Sequence, residues 1–382
     1  MATGALSPAE QVAWLRLART ETVGPVTFAE LIRRFGDPAR ALAALPAMAQ
    51  RAGRAALSIP SDAQARAELA AGEALGARLL CAGEDAFPPL LAALDPPPPV
   101  IWVRGDAALL ARPGVAIVGA RIASAAGQRF ARTLARELGQ AGQLIVSGMA
   151  RGIDAAAHEG ALETGTVAVL GGGVDDIFPP EHRDLYARLV ARGCVVSERP
   201  PGAQARAKDF PRRNRLISGL SRAVVVVEAE LRSGSLITAR LAAEQGREVL
   251  AVPGSPLDPR AKGTNDLIRQ GAALCEGAED VLRSLEGLRG LREPPAPAFE
   301  AGGYEAADAA LIERLAGLLS PTPVPRDELV RLTGAAPAAV YAALVELAVA
   351  GRAELLAGGM VVGCEGNDGR VGLAANKRAL FL

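Results

Sequence analysis

The chain has 382 residues, enough for two to three domains, since a domain commonly spans roughly 100–200 residues. Half of the residues are hydrophobic, so the chain can bury a sizeable core. The formal net charge is zero, which argues neither for nor against a polyanionic partner, so an argument for nucleic-acid binding must rest on local clusters of charge.

The sequence pattern shows neither a targeting signal nor a disulfide framework. The first residues lack a basic segment that leads into an apolar one, and the longest β-branched run, Val224–Val227, is far too short to cross a bilayer. The cysteines at 81, 194, 275 and 364 form no CxxC pair and are expected to be small buried residues in a reducing compartment. We therefore expect a cytoplasmic protein with no membrane partner.

Residues 1–78 are predicted to be helical, because their apolar residues recur at helical spacing. The turn Val23–Val26 followed by Phe28–Gly36 is typical of a helical hairpin. Such a hairpin can hold a DNA backbone through its turn amides, or it can serve only to pack. Further on, the stiff segment Asp95–Pro99 leads into a predicted strand, Val100–Val103, which we interpret as a junction and not as part of a domain core.

From residue 115 the pattern changes to short apolar runs separated by helix-length segments. The predicted strands are Val115–Gly119, Leu144–Ser147, Val167–Gly171, Cys194–Ser197, Ala223–Glu228 and Glu248–Val252. Strands that are apolar on both faces and alternate with helices indicate an α/β domain, doubly wound around a mainly parallel sheet. Ligands of such sheets bind beyond the carboxyl ends of the strands, so the loops that follow these strands should hold the functional residues.

The loop after the first of these strands, Gly119–Ser124, differs from two common nucleotide-binding motifs. It lacks the second and third glycines of GxGxxG, and GxxxxGK[ST] does not occur in the chain. Arg121 stands where a dinucleotide-binding protein keeps a small residue. Arg121 is either the first guanidinium of a phosphate pocket or a residue that caps the helix or forms a salt bridge.

Three further loops have anion-binding character. The residues concerned are Ser147, Gly148, Arg151, Gly171, Gly172, Ser233 and Ser235. The loop after the second strand offers a hydroxyl, a flexible backbone and a guanidinium at a helix start, which together can cradle an anion. The next is a glycine run that lets a ligand approach the backbone closely. The last opens a helix whose free amides favour an oxyanion, although an ordinary capped helix has the same pattern.

Basic charge is concentrated in residues 199–222, where seven Lys and Arg residues face one acidic residue, Asp209. The candidate nucleic-acid-binding residues of this segment are Lys208, Phe210, Arg212, Arg213, Asn214 and Arg215. Three guanidinium groups are predicted to crowd around the single aromatic ring. Arginine donors suit phosphate oxygens, and base stacking on an aromatic ring tolerates any sequence. The alternative is a solvated loop whose arginines pair with carboxylates.

No catalytic constellation is visible in the sequence. The two histidines, His158 and His182, lie beside neither a nucleophile elbow nor an HExxH motif, and we interpret both as structural. Carboxylates such as Asp175 and Glu228 could support chemistry, but surface pairing or capping is their commoner role. We therefore predict a binding protein that is not an enzyme and that uses no cofactor or metal.

Six motifs, taken in order, resemble those of the DprA (Smf) family of DNA-processing proteins. They are Ala116–Arg121, Ser147–Asp154 with His158, Phe210–Arg215, Ser233–Ala239, Val252–Gly254, and Gly263–Asn265 with Leu267, Ile268, Gly271 and Ala272. Their order and spacing make this resemblance, which covers roughly residues 80–285, far more specific than any single loop. The sequence departs conservatively at Ala120, where the family often has Ser, and at Met149, where it often has Leu.

The resemblance implies an extended Rossmann-like core that binds single-stranded DNA, protects incoming strands and loads RecA recombinase during natural transformation. It implies single-stranded DNA, RecA and a second copy of the chain as partners, with single-strand-binding protein as a further candidate. The implied phosphate pocket falls on Arg121, the Ser147–Gly148 turn, Lys208, Phe210 and Arg212–Arg215. Leu267 and Ile268 are predicted to lie in the dimer interface, because adjacent apolar residues on a short helix cannot both easily point into one core.

The flanking segments also resemble those of family members. The predicted division is a sterile-alpha-motif-like or helix-hairpin-helix-like bundle over 1–78, the core over 79–287, a linker over 288–304, a winged-helix-like domain over 305–364 and a flexible tail over 365–382. A winged helix normally reads the DNA major groove with its third helix, yet here Pro337–Ala350 carries only Glu346 as a charge. This favours a protein-contact or structural role over DNA reading.

Two other functions fit parts of the pattern. The first alternative is a nucleotide-binding enzyme, since related Rossmann-like pockets of nucleotide phosphoribohydrolases bind nucleoside monophosphates. Those enzymes are expected to carry a PGGxGT loop, whereas here Gly171–Gly173 is followed by Val174 and Asp175. The second alternative is a protein-interaction scaffold in which the basic segment meets an acidic partner.

Overall fold

The structure, a computed structural model, describes residues 4–287 and 307–364. The chain divides into two compact units. Of the described residues, 4–15 and 61–287 form the first unit, and 16–60 and 307–364 form the second. The predicted linker 288–304 and tail 365–382 lie outside the described residues.

A nine-stranded sheet forms the centre of the first unit. Its strands are β1 (Ala77–Cys81), β2 (Val100–Gly105), β3 (Gly114–Val118), β4 (Leu144–Ser147), β5 (Thr166–Val169), β6 (Cys194–Ser197), β7 (Ala223–Val226), β8 (Glu248–Ala251) and β9 (Ala273–Leu274). They lie in the order β1-β2-β6-β5-β4-β3-β7-β8-β9. Pairing is parallel from β6 to β9, whereas β2 pairs antiparallel with both β1 and β6. The predicted doubly wound, mainly parallel sheet is confirmed, and all six predicted strands belong to it.

Helices alternate with these strands along the chain, and further helices come before β1 and after β9. In chain order they are α1 (Pro8–Arg19), α2 (Pro25–Phe35), α3 (Pro38–Arg51), α4 (Asp62–Ala74), α5 (Pro89–Ala92), α6 (Ala125–Gln140), α7 (Ile153–Ala161), α8 (Arg183–Arg192), α9 (Asp209–Gly219), α10 (Gly234–Glu244), α11 (Lys262–Arg269), α12 (Ala278–Gly287), α13 (Ala309–Leu318), α14 (Arg326–Thr333) and α15 (Pro337–Val349).

Two hydrophobic clusters cover the two faces of the sheet. Along β3, Val115 and Ile117 join the cluster that includes α6, α7 and α12, whereas Ala116 and Val118 join the cluster that includes α9 and α10. Successive side chains of a strand point to opposite faces, so a strand that is buried on both faces reads as a continuous apolar run. This explains why the sequence pattern located the central strands well.

The position of β2 corrects the prediction that Val100–Val103 is a junction outside the core. β2 lies within the sheet between β1 and β6, and Ile101 and Trp102 are buried. The Trp102 ring packs so closely on Gly72 of α4 that a Cβ at Gly72 would lie 2.0 Å from it. The Trp102 indole also donates a hydrogen bond to Glu68 over 3.0 Å. A short apolar run after four prolines gives no sign of these partners, which are distant in sequence.

The second unit combines N-terminal helices with the winged-helix-like segment. Its sheet contains β10 (Val324–Pro325), β12 (Met360–Gly363) and β11 (Ala353–Leu355), in that order and antiparallel. Together with α13, α14 and α15, three helices that precede or interrupt it along the chain, this sheet has the winged-helix-like form that the sequence predicts, and that prediction is confirmed. The third of these helices, α15, packs against α2, α3 and α13, and its residues from Ala343 to Val349 are all buried. The helix that enters the DNA groove in other winged helices is here part of the core of this unit.

The cysteines agree with the prediction at three of four positions. Cys81, Cys194 and Cys275 are buried, and burial raises the pKa of each thiol, whereas Cys364 is exposed, contrary to the expectation. No single helix within 4–287 and 307–364 is long and apolar enough to cross a membrane; α14 and α15 reach that length and hydropathy only as a sharply bent pair.

Candidate nucleic-acid interface

The candidate site lies at the carboxyl edge of the nine-stranded sheet. From β3 the chain adds β4, β5 and β6 on one side and then returns to add β7, β8 and β9 on the other. The loops after β3 and β7 therefore start on either side of the point where the strand order reverses. Doubly wound sheets bind their ligands in the crevice at this point.

Two aromatic rings and one guanidinium form a cluster at this edge, which we call the stacking cluster. The guanidinium carbon of Arg121, in the loop after β3, lies 5.6 Å from the ring centroid of Phe210. The ring of Phe178, in the loop after β5, lies 5.4 Å from Phe210, and the two ring planes are inclined by 51°. Arg121 is exposed and Phe178 is 50% exposed. A cation and apolar ring surface are thus presented together to solvent.

The stacking cluster corrects one detail of the sequence prediction. The guanidinium over Phe210 belongs to Arg121 and not to the arginines that follow Phe210 in sequence. Those arginines lie on α9, which begins at Asp209, where the Asp209 carboxylate accepts a hydrogen bond of 2.9 Å from the Arg206 amide. Pro211 is tolerated in the first helical turn because that turn has free amides in any case.

The helical geometry of α9 sends its basic side chains in different directions. Arg212 is exposed, as is Lys208 just before the helix. Arg215 forms a salt bridge with Glu198. For this residue the alternative prediction holds, in which the arginines of the segment pair with carboxylates. Asn214 donates a hydrogen bond of 3.3 Å to the Gly234 carbonyl, which ties α9 to the start of α10. Only part of the basic segment is therefore presented for a ligand.

Arg213 is the buried member of this group. Its Nη2 donates a hydrogen bond of 3.0 Å to the Gly148 carbonyl. The charges of Arg213 and the buried Asp154 attract each other. Burial lowers the pKa of Arg213 to about 10. Burial also raises the pKa of Asp154, and the positive charge of Arg213 opposes this rise. Gly148 is required here, because a Cβ would lie 1.5 Å from Arg213 Nη1. Arg213 therefore supports the loop from beneath.

Ser147 also faces inward. Its hydroxyl is buried and donates a hydrogen bond of 2.7 Å to the Ile117 carbonyl, while the Gly148 amide donates to Asp154 over 3.2 Å. Ser147, Gly148 and Arg213 were predicted to lie in a phosphate pocket. In the structure Ser147 and Arg213 are buried and all three residues form hydrogen bonds within the protein, so they position the loop between β4 and α7 and do not present donors to solvent.

The start of α6 is occupied by a carboxylate of the chain itself. Glu228 accepts hydrogen bonds from the Ser124 amide over 2.9 Å and from the Ser124 hydroxyl over 2.6 Å. Gly127 leaves room for it, since a Cβ there would lie 2.6 Å from the carboxylate. A helix start in a dinucleotide fold holds the pyrophosphate at the equivalent place. Here a phosphate would first have to displace Glu228.

The remaining predicted residues lie around the stacking cluster in different environments. Arg151 is exposed and paired with Glu181. Gly171 and Gly172 are buried, and Gly171 lies next to the Phe210 ring, where an added Cβ would be 3.4 Å from a ring carbon. Ser233 caps α10, and its hydroxyl lies 2.7 Å from that of the buried Ser235. The start of α10 therefore has the ordinary capped form that the sequence analysis left open.

Both histidines have structural partners. His158 is fully buried and its Nδ1 lies 2.8 Å from the Thr166 hydroxyl. Burial, with a smaller contribution from the nearby positive charge of Arg213, lowers the pKa of His158 to about 3. His182 Nδ1 lies 3.0 Å from the Met149 carbonyl, where the backbone has an uncommon positive φ of 56°. No group of three potential metal ligands occurs among residues 4–287 and 307–364.

Phe178 was not among the site residues predicted from the sequence. Further large apolar side chains are also exposed in loops at the same edge of the sheet: Ile122 after β3, Leu231 after β7 and Leu257 after β8. An aromatic residue that follows a glycine run and precedes proline was the available signal for Phe178. Exposure itself is not visible in a sequence, since a lone apolar residue in a loop reads equally well as buried.

Family models match almost the whole chain. A model described as DNA recombination-mediator protein A matches residues 78–286, a DprA-like N-terminal HHH domain matches residues 8–71, and a DprA winged helix domain matches residues 294–359. The chain belongs to the DprA (Smf) family. DNA processing and recombination mediation are therefore its functional class, and the resemblance seen in the sequence motifs is confirmed.

Individual relatives also support the assignment of this chain to the DprA family. Protein Smf of Escherichia coli (strain K12) is 40% identical over 287 residues, which covers 74% of this chain and 76% of the relative. DNA processing protein DprA of Bacillus subtilis is 42% identical over 202 residues, which covers 52% and 68%.

Two solved DprA structures are similar as well. The X-ray structure of DprA from Streptococcus pneumoniae has a TM-score of 0.58 and 31% identity, and the match covers 73% of this chain and 98% of that one. DprA from Helicobacter pylori, described for its single-stranded DNA binding mode, has a TM-score of 0.50 and 31% identity, with coverage of 55% and 96%.

Proposed function

We propose that this chain is a recombination mediator that binds single-stranded DNA at the carboxyl edge of its sheet, protects incoming strands and loads RecA recombinase during natural transformation. The observation that carries the proposal is the exposed guanidinium of Arg121 over the ring of Phe210. A guanidinium can neutralise a phosphate while ring faces stack unpaired bases. A duplex keeps those base faces hidden, so this arrangement suits a single strand.

Charge and family membership support the same proposal. Lys208 and Arg212 are exposed in the segment that carries Phe210, so more than one phosphate can be neutralised. The Helicobacter pylori relative is described for binding single-stranded DNA. The position of Glu228 at the start of α6 argues against the alternative nucleotide-binding enzyme, because a nucleotide phosphate would meet a carboxylate there. We propose accordingly that the protein acts in the cytoplasm and without chemistry of its own.

A binding titration tests the DNA preference directly. The full chain should bind an unstructured single strand more tightly than a duplex of the same length. The logarithm of its affinity for a single strand should fall linearly with the logarithm of salt concentration, by about 0.7 for each phosphate neutralised. Equal affinity for both forms, or affinity that ignores salt, would refute the proposed function.

The matched variants Arg121→Ala and Arg136→Ala locate the site. Arg136 is also exposed on the surface, but it lies near the end of α6, whereas Arg121 precedes the start of that helix. Arg121→Ala should weaken single-strand binding and reduce the salt slope, with an unchanged melting temperature. Arg136→Ala should leave all three quantities near wild type. Wild-type binding by Arg121→Ala would remove Arg121 from the interface.

A second assay tests mediation. RecA filament assembly is followed on strands already covered by single-strand-binding protein, with and without the purified chain. We expect faster assembly with wild type, no acceleration with Arg121→Ala, and no ATP hydrolysis by the chain alone. Release of free base or ribose phosphate from nucleoside monophosphates by the pure protein would instead favour the enzyme.

A further inference from the structure

Phe178 is a large aromatic side chain that the fold leaves half exposed. It is 50% exposed and belongs to neither hydrophobic cluster of the sheet. Its one aromatic neighbour among the described residues is Phe210, at a centroid distance of 5.4 Å. An exposed aromatic ring beside a binding site is informative, because burial in a core does not account for it.

Hydrogen bonds between two loops hold Phe178 close to Phe210. The Gly173 amide donates to the Ala203 carbonyl over 2.6 Å, and the Ala205 amide donates to Asp176 over 2.8 Å. The Gly202 amide donates to Asp175 over 2.8 Å. The loop that carries Phe178 is thus tied to the segment that leads into α9. A ring on a tied loop loses little conformational freedom when it binds a ligand.

The orientation of the two rings suits nucleobases that are not stacked on each other. The planes of Phe178 and Phe210 are inclined by 51°, so flat groups lying on the two rings would be inclined by a similar angle. Neighbouring bases in a continuous helical stack are nearly parallel. Bases held on both rings must therefore be splayed apart, which a flexible single strand permits.

We propose that Phe178 is a second base-stacking platform, which holds one unpaired nucleobase beside the base held at Arg121 and Phe210. This proposal rests on the proposed function, since it needs a single strand at the carboxyl edge. It makes a separate claim, namely that the contact of Phe178 is with a base and not with the phosphate backbone. Phe178 contributes planar ring surface and no charge.

The claim can be tested with two oligomers of equal length: oligothymidylate, and a deoxyribose-phosphate chain that has no bases. The full chain and the variants Phe178→Ala, Phe178→Leu and Phe178→Tyr are titrated with each oligomer. We expect Phe178→Ala to weaken oligothymidylate binding by about 5- to 150-fold, the range for loss of one base–aromatic stack. Binding to the baseless chain should be the same for all four proteins, and the salt slope should not change.

The conservative variants separate stacking from mere apolar bulk. Phe178→Tyr keeps the planar ring and should bind oligothymidylate as wild type does, whereas Phe178→Leu should lose most of the affinity. Leu332→Ala, which removes an apolar side chain that is 57% exposed on α14, is the control and should bind normally. Matching circular dichroism and melting temperatures establish that each variant is folded.

Each outcome distinguishes this proposal from the proposed function. If wild type does not prefer single strands, the proposed function itself fails. If wild type prefers single strands but Phe178→Ala binds oligothymidylate equally well, only the second platform is overturned. Equal losses on oligothymidylate and on the baseless chain would also overturn it, because Phe178 would then act on the backbone or on the loop.

Discussion

Arg51 of α3 donates two hydrogen bonds to Glu346 of α15, from Nε to Oε2 over 2.9 Å and from Nη2 to Oε1 over 2.8 Å. The Glu346 side chain has no exposed surface, and Arg34 of α2 lies 3.4 Å from its Oε1. This carboxylate joins the N-terminal helices to the third helix of the winged-helix-like segment. Glu346, the one charged residue of α15, is thus a buried structural residue, in agreement with the prediction that this helix does not read DNA.

The first prediction is that Glu346→Ala destabilises the second unit by about 3–5 kcal/mol, because it removes a fully buried carboxylate that accepts two hydrogen bonds from Arg51. Scanning calorimetry of the full chain should show one transition shifted to lower temperature. Glu328→Ala is the control, since Glu328 pairs with Arg331 near the surface and its loss should cost less than about 1 kcal/mol. Equal small effects from both variants would contradict a supporting role for Glu346.

The second prediction contrasts two neighbouring arginines of α9. Arg213→Ala should lower the free energy of unfolding by about 3 kcal/mol or more, because it leaves the buried Asp154 without its cation. Arg212→Ala removes an exposed side chain, so it should change stability by less than about 0.5 kcal/mol and weaken single-strand binding instead. Urea unfolding and a DNA titration on each variant make the comparison. A stable Arg213→Ala protein that loses only DNA binding would return Arg213 to the ligand-contacting group.

The third prediction concerns the proposed dimer. In α11, Leu267 packs partly against a core cluster, whereas Ile268 is not part of either cluster and is half-buried. Nearby, the edge strand β9 exposes Leu274 at 44%. Exposed apolar groups beside a free strand edge suit a twofold contact. We therefore expect Ile268→Arg to sediment as a monomer and to retain its melting profile.

Leu332→Arg provides the matched control for the dimer. It introduces the same charge at an exposed apolar position on α14, and it should leave the sedimentation of the protein unchanged. If Ile268→Arg remains a dimer, the interface lies elsewhere. If wild type is a monomer at micromolar concentration, the proposal of a homodimer fails altogether.

The six strands β3–β8 could be predicted from sequence because each of them carries its own signal. A run such as Ala223–Val226 is apolar on both faces, and that pattern is local. The strand β2 was misjudged because its place depends on pairing with β6, almost a hundred residues later, and on packing of Trp102 against α4. Such long-range partners leave no mark in a run of four apolar residues.

The candidate site was predictable in composition but not in geometry. Arg121 and Phe210 were both selected from sequence, yet the contact between them joins loops that are far apart in the chain. The basic segment was not predicted to form a helix. In the helix α9, adjacent side chains point in different directions, so Arg213 is buried and Arg212 is exposed. Phe178 was missed because its importance lies in exposure, which only the folded chain determines.

The last prediction concerns the pH dependence of stability. His158 is buried, and its pKa in the folded protein is lowered to about 3, against roughly 6.5 in an unfolded chain. Between these values the unfolded state binds more protons, so stability must fall as pH decreases from about 6.5 towards 3. The contribution of His158 between pH 7 and pH 5 should be a loss of about 2 kcal/mol. Urea unfolding of wild type and His158→Gln at both pH values isolates it, because the carboxylates titrate in both proteins. His158→Gln should lose about 2 kcal/mol less than wild type on acidification, and an identical loss in both would show that His158 binds its proton as readily folded as unfolded.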